Sequence, residues 1–241
     1  VKPNQPGSGL GTAGYRPTMS DERVEEIREL HKRLVAPAQD GADTEQTVSW
    51  LGLTLKVPSE VMTPCAVSPL FGKAVADEVK EGDRVLDMGA GSGAHGIAAA
   101  HKAAEVIAVD ISPYAVAAVR ANAELNNVGD RVKAHQSDIF ENVEGLFDLI
   151  IFNPPFHWFP ARNVAEAATT DENYAALTRF FREARGHLAD GGRMMIFFST
   201  VGDIDYLRKL MRDAGFRQEL VFQHSGDFAG MPADYFTYRL S

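Results

Sequence analysis

Residues 84–102 read RVLDMGAGSGAHGIAAAHK. Arg84 to Met88 has the apolar, β-forming character of a short strand. Gly89, Gly91 and Gly93 permit a tight turn, and the alanine-rich run to about Lys102 is a helix. A strand turning on glycine into a helix is half of a βαβ unit, and the same rhythm repeats downstream. Glu105 to Asp110 reads as the second strand. Pro113 takes a first-turn position and opens a helix to about Asn127. Val132 to Gln136 is the third strand and the apolar segment Phe147 to Phe152 the fourth. A helix from about Glu172 to Leu188, a strand over Arg193 to Phe198 and a helix over Ile204 to Ala214 follow. Strands alternating with helices of this length predict an α/β protein with a doubly wound, mostly parallel sheet. The last two strands, Phe216 to Gln223 and Tyr235 to Leu240, are joined by a loop, so the chain is expected to end antiparallel.

Upstream the pattern differs. Asp21 to Ala36 predicts an amphipathic helix, with Val24, Ile27, Leu30, Leu34 and Val35 at helical spacing, Ser20 as N-cap and Pro37 as its stop. Val48 to Val57 reads as one or two short strands turning at Gly52, and Ser68 to Lys80 as a helix. The expected organisation is a flexible Gly/Pro/Ser-rich leader over 1–20, an N-terminal cap or lid over 21–80, and a Rossmann-like ligand-binding domain over 81–241. The leader has no cationic start followed by an apolar run, so it does not read as a signal peptide.

The chain has 241 residues, 45% apolar and 24% charged, the balance of a globular protein with a full core. No run of residues is long and apolar enough for a membrane span. A single cysteine, Cys65, excludes an internal disulfide and a multi-cysteine zinc site. It reads as a small core residue in a cytoplasmic protein, and no metal is expected. The net charge of -9 weighs against a nucleic-acid partner, because proteins that track phosphate backbones present a basic face.

Four segments carry the chemistry. In the first, Asp87 through Gly93, the glycines let a ligand approach the backbone. Gly91 to Gly96 also satisfies the dinucleotide pattern GxGxxG, so NAD binding stands beside other nucleosides. The second is Asp110 with Ile111, 23 residues beyond Asp87 at a strand end, where a carboxylate accepts ribose hydroxyls or caps the next helix. The third, Ser137-Asp138-Ile139, offers an acceptor for an exocyclic amine and an apolar face, or is a surface turn. The fourth is Asn153-Pro154-Pro155-Phe156, directly after the apolar strand. Two prolines remove backbone donors and hold the chain extended, so the Asn153 amide oxygen and the Pro154 carbonyl become fixed acceptors at the sheet's carboxyl edge. Such a pair holds a planar NH2 group with its lone pair aimed outward, and Phe156 gives it a face to stack on.

Together these motifs resemble class I S-adenosylmethionine (SAM)-dependent methyltransferases over about Asp83 to Leu240. More narrowly they resemble the group with an (Asn/Asp)-Pro-Pro-(Tyr/Phe) motif, which acts on protein glutamine, adenine N6 or guanine N2. The resemblance implies a seven-stranded sheet with an antiparallel last strand. It implies that Asp87, Gly89, Ala90, Gly91 and Gly93 hold the methionine part of SAM. Asp110 would hold the ribose, Asp138 with Ile139 the adenine, and Ile111 would line the same cofactor site. Asn153 would also contact the cofactor, and with Pro154, Phe156 and His157 it would place the acceptor nitrogen beside the methyl.

The specialised relatives fit less well. The run NPPFH over 153–157 resembles rRNA guanine-N2 methyltransferases, yet Arg162, Arg179, Arg182 and Arg185 are the nearest cations, and the last three read as a solvated helix face. Protein-glutamine methyltransferases carry a Pro-Arg-x-Glu-Thr-Glu-like segment before the glycine motif. Here that place holds Val61 to Ser68, of which only a proline matches. A small-molecule or protein acceptor is therefore expected ahead of nucleic acid, with Phe156, His157, Trp158, Phe159 and Tyr174 as its walls and the cap helix as a lid. His157 is either a proton acceptor or a positioned wall. A non-methylating SAM enzyme and a SAM-binding scaffold remain as alternatives. An NAD oxidoreductase leaves the NPPF segment unexplained. Acceptor, oligomeric state and pathway are not legible.

Overall fold

The computed structural model describes residues 14–34, 45–161, 166 and 169–241. Leader residues 1–13, the expected helix end at Val35 and Ala36, and Arg162 lie outside the described residues.

The N-terminal elements form as their patterns dictate. Helix α1 (Asp21–Leu34) is capped by Ser20, whose hydroxyl accepts the Arg23 N–H at 3.3 Å, and it buries Ile27 and Leu30 completely. Strands β1 (Gln46–Trp50) and β2 (Leu53–Val57) pair through a two-residue turn. Leu51 and Gly52 have φ of 47° and 83°, the paired positive values that match strand twist in a tight hairpin. The alternation of β2 puts Leu53, Leu55 and Val57 inward and Thr54 and Lys56 outward. Helix α2 (Ser68–Glu78) follows a loop in which Cys65 is exposed, not a core residue as its type suggested. The Cys65 carbonyl serves the first turn instead, accepting the Ser68 N–H at 3.0 Å.

The main sheet contains β3 (Arg84–Met88), β4 (Glu105–Asp110), β5 (Val132–Gln136), β6 (Phe147–Phe152), β7 (Leu188–Ser199), β8 (Gln218–Phe228) and β9 (Met231–Leu240). Their spatial order is β5-β4-β3-β6-β7-β9-β8, parallel except that β9 runs antiparallel to both neighbours. Helices α3 (Ala94–Ala100), α4 (Pro113–Leu125), α5 (Ala175–Glu183) and α6 (Ile204–Asp213) complete the crossovers. Val85, Leu86, Leu149, Ile150 and Ile151 of the two central strands have no exposed surface, as parallel strands covered on both faces require. Ser112 caps α4 ahead of Pro113, and Asp203 caps α6 by accepting the Tyr206 N–H at 3.1 Å.

Three boundaries differ from the sequence reading. The helix expected over 172–188 begins as a 3₁₀ turn, Glu172–Tyr174, because Asn173 and Tyr174 take positive φ. The regular helix then starts at Ala175, with the Asp171 carboxylate accepting the N–H groups of Ala176 and Leu177 at 2.9 and 2.8 Å. Strand β7 starts at Leu188, opposite Phe147, with an irregular register through Gly191 and Gly192. A Cβ on Gly192 would sit 2.8 Å from the Phe147 carbonyl, so only glycine allows that approach. The terminal strands extend into a hairpin turning at Ala229 and Gly230, both at positive φ, rather than being joined by a long loop.

At the amino edge of the sheet the Arg193 guanidinium is buried between Glu78 and Asp83, with hydrogen bonds of 2.7 Å to each carboxylate, and Arg239 also reaches Glu78. These charges lie at the opposite end from the motifs. Among the described residues no helix is long and apolar enough to cross a membrane.

Candidate active site

The chain leaves β3 to build β4 and β5 on one side, then returns to place β6 on the other. The crevice at the carboxyl ends of β3 and β6 is thus a topological switch point, where open α/β sheets take ligands. Register brings the four motifs together. Met88 is opposite both Val109 and Phe152, and Asp110 is opposite Gln136. The residues just past those pairs are Gly89, Asp110, Ser137 and Asn153, each within a predicted motif.

The glycine loop is gripped by its neighbours. Ala90 N–H donates to Val109 O at 3.0 Å, and Gly93 N–H to Ala90 O at 2.8 Å. The Asp110 carboxylate accepts Gly91 N–H and Ser112 N–H, each at 2.9 Å. Gly91 has φ of 55° with nothing within 4 Å of a Cβ position, so the loop faces open space there. Burial pushes the Asp110 carboxyl up from its ordinary value, and the N–H groups of Ser112, Gly91 and Ile111 oppose that. Two of the carboxylate's roughly four lone-pair sites remain for a ligand. Ile111 beside it is 62% exposed, an apolar surface that a flat ring would cover.

Asp87 is buried, and its Oδ2 accepts Gly96 N–H at 2.8 Å. A Cβ at position 96 would lie 2.7 Å from that oxygen, which explains the glycine. Burial raises the Asp87 carboxyl to about 7; the Gly96 N–H works against this and the charge of Asp110 adds to it. Asp138 gives one carboxylate oxygen to Arg179 at 2.7 Å, and its carbonyl accepts a second N–H of that side chain at 3.1 Å. Ile139 is buried, with φ of 53°, and its carbonyl accepts the Ser137 hydroxyl at 2.8 Å.

The 153–157 segment is held from behind. Asn153 is half-buried and makes no side-chain hydrogen bond among the described residues, while Pro154 is buried. Phe156 packs against Phe197 and Phe198 at centroid distances of 6.0 and 5.3 Å. The Tyr174 hydroxyl donates to the Phe156 carbonyl and accepts the Asp203 N–H at 2.9 Å. The carbonyls of His157 and Trp158 accept from Asp171 and Asn173. Tyr174 has no exposed surface, and Trp158 is buried among Tyr15, Phe159 and Tyr174. These two residues support the loop and do not line an open wall. Replacing Tyr174 by Phe strands the Phe156 carbonyl and the Asp203 N–H. Urea denaturation is expected to show a loss of about 1–3 kcal/mol.

His157 faces the cap rather than the crevice. Its Nδ1 is 3.2 Å from Nδ1 of His31 on α1, so one ring donates and the other accepts. Burial first and then His31 lower His157 to about 4, which leaves a neutral ring near pH 7 with little proton affinity. Tyr15 and Thr18, from the stretch read as leader, bond the Asp203 carboxylate; the Tyr15 bond is 2.9 Å.

Sequence reasoning missed Asn122. Its fully buried amide reaches the Ser92 carbonyl in the glycine loop at 2.9 Å. The available signal was Asn122 inside a helix that it does not favour, one turn before Asn126 at the helix end.

Residues 68–215 match the family described as methyltransferase small domain. A Methanocaldococcus jannaschii protein named as a protein N5-glutamine methyltransferase is 38% identical over 180 residues, 70% of this chain and 87% of that one. Ribosomal RNA small subunit methyltransferase C of Chromohalobacter salexigens is 39% identical over 115 residues, 48% of this chain but 31% of the relative. Among solved structures, Trm5b from Pyrococcus abyssi superposes with a TM-score of 0.60 at 24% identity, covering 85% of this chain and 58% of that one. That likeness bears on the fold.

Proposed function

Because the chain belongs to the methyltransferase small domain family, we propose that it transfers the methyl group of S-adenosylmethionine to a side-chain amide nitrogen of a protein. The observation that carries this is the place of Asn153-Pro154, one residue past the Met88–Phe152 pair and so beside the glycine loop. A relative that this chain spans over 87% of its length is named for protein glutamine, which supports the amide. That relation outweighs the missing glutamate-rich segment at Val61 to Ser68.

The residues present fit the cofactor. Open space over Gly91, the free lone pairs of Asp110 and the exposed Ile111 suit the loop, ribose and adenine roles. When bound, S-adenosylmethionine supplies a sulfonium methyl, an electrophile open to in-line attack. The protein contributes proximity and orientation. The Asn153 amide oxygen and the Pro154 carbonyl accept the two N–H groups of the acceptor and turn its nitrogen toward the loop. Phe156 supplies the stacking face. As the methyl passes from sulfur to nitrogen, the S–C bond breaks, the C–N bond forms and one N–H proton goes to water, so no strong base is needed. The neutral, buried His157 fits a loop anchor better than a base. Trp158 and Tyr174, buried behind the loop, act as its support.

The buried Asp87 gives the cofactor a pH signature. Its raised folded value contributes stability below about pH 4 that is lost as pH rises through about 7. The ammonium and sulfonium of SAM favour the ionised form, so its value falls on binding. Affinity is expected to rise with pH up to about 7 and then level off, with proton release seen calorimetrically in two buffers. Asp87→Asn should flatten the profile; an unchanged slope in that variant would remove Asp87 from the cofactor's surroundings.

A nucleobase amine is the second reading, favoured by the relation to the rRNA enzyme. The basic helix face argues against it. Arg179 is bound to Asp138, Arg182 to Glu183, and Arg185 to the carbonyls of Ala214 and Gly215. Incubation with methyl-labelled SAM and a fractionated cell extract tests the proposal. Label in protein supports it, whereas label confined to RNA or to small molecules overturns the acceptor assignment.

A further inference from the structure

We propose that the cap hairpin β1–β2 is the outer clamp of the cofactor loop and that Asn122 is the positioning residue that couples them. This rests on the cofactor reading above and adds a role for a segment that otherwise reads as decoration or a lid.

Asn122 sits on α4 with no exposed surface, and it imitates a strand toward β2. Its Oδ1 accepts Lys56 N–H at 2.8 Å and its Nδ2 donates to Lys56 O at 2.9 Å. The second Nδ2 hydrogen goes to Ser92 O at 2.9 Å. One amide thereby uses three of its four hydrogen-bonding sites to tie the cap hairpin to the loop. The Ser92–Gly93 peptide is planar, so turning its carbonyl toward Asn122 turns its N–H the opposite way. That N–H closes the loop on Ala90 O at 2.8 Å. Asp110 holds Gly91 from the strand side, and Asn122 holds Ser92 from the helix side. The Ser92 carbonyl is fixed before any ligand arrives, which lowers the ordering cost of binding.

The fold supplies its own control. Asn126, one turn on, makes the same pair of bonds to Thr54, accepting its N–H at 3.1 Å and donating to its O at 2.8 Å. Its amide also donates to the Asn122 carbonyl at 2.7 Å, and among the described residues it has no bond to the loop. Removing Asn126 loosens the hairpin and the helix end, and removing Asn122 loosens the hairpin and frees Ser92.

The experiment compares Asn122→Ala with Asn126→Ala in the full chain. SAM affinity is read by calorimetry, KM for SAM and kcat in turnover, and thermal midpoints alongside. Asn122→Ala is expected to weaken SAM binding and raise its KM by about tenfold, with kcat at saturating SAM within about threefold of wild type. Asn126→Ala should leave SAM affinity within about threefold despite a comparable drop in thermal midpoint. If Asn122→Ala fails to fold, Asn122→Asp is read in the same assays against Asn126→Asp, since each keeps its acceptor for a hairpin N–H and loses its Nδ2 donors, which at Asn122 serve both Lys56 O and Ser92 O. Equal SAM affinity in the Asn122 and Asn126 variants overturns the coupling while leaving the cofactor reading intact. A wild-type protein that binds no SAM overturns both.

Discussion

Asn153→Ala is expected to lower kcat by about 10²–10³-fold while leaving the dissociation constant for SAM within about threefold. The division follows from position. Asn153 is the first residue beyond β6, half-buried, with a side chain that serves no other group among the described residues. Its oxygen is therefore reserved for an arriving donor, and the adjoining prolines hold it there without a cost in loop ordering. Removing it leaves the glycine loop and Asp110 untouched. Single-turnover rates at saturating SAM, alongside calorimetric affinities, separate the two quantities. Loss of SAM binding with preserved single-turnover rate would move Asn153 to the cofactor.

Asp110→Ala is expected to do the reverse. Its carboxylate anchors Gly91 and Ser112 and keeps lone pairs for two ribose hydroxyls. Hydrogen bonds to a charged acceptor contribute about 1.5–3 kcal/mol each, so loss of the pair weakens SAM binding by about 100-fold or more. At saturating SAM, kcat should fall by less than about tenfold, because the acceptor's own partners at 153–154 remain. A variant with wild-type SAM affinity would show that the ribose lies elsewhere, and the loop geometry would then need another explanation.

The sheet was readable because its signals are local. Alternation of apolar runs with Ala-rich helices placed β3 to β6, and glycines after β3 placed the turn. The chain's return to the far side of β3 could not be read, yet the motifs fell at strand ends regardless of strand order. Signals that depend on distant partners were lost. Asn122 acts on Lys56, 66 residues away, and nothing near it in sequence says so. The Tyr174 hydroxyl looked like a substrate wall, and its partners are Phe156 O and Asp203 N. The kink at Asn173 and Tyr174 was hidden because their neighbours have helical spacing, while the Asp171 cap sits just outside it. Strand β8 lacks alternation because both its faces are exposed, from Glu219 to Asp227. Cys65 followed its loop and not its residue type. His157 follows the motif in sequence but faces His31, which only the packing of α1 decides.

The central claim is transfer of the SAM methyl to an amide nitrogen. The most direct test incubates the full chain with methyl-labelled SAM and a protein fraction from cell extract, then hydrolyses the labelled protein in acid. An N-methylated side-chain amide breaks to a carboxylic acid and methylammonium, so once the hydrolysate is made alkaline the label should leave as volatile methylamine. Label that stays with an amino acid or a base, or SAM that is never consumed, would contradict the account.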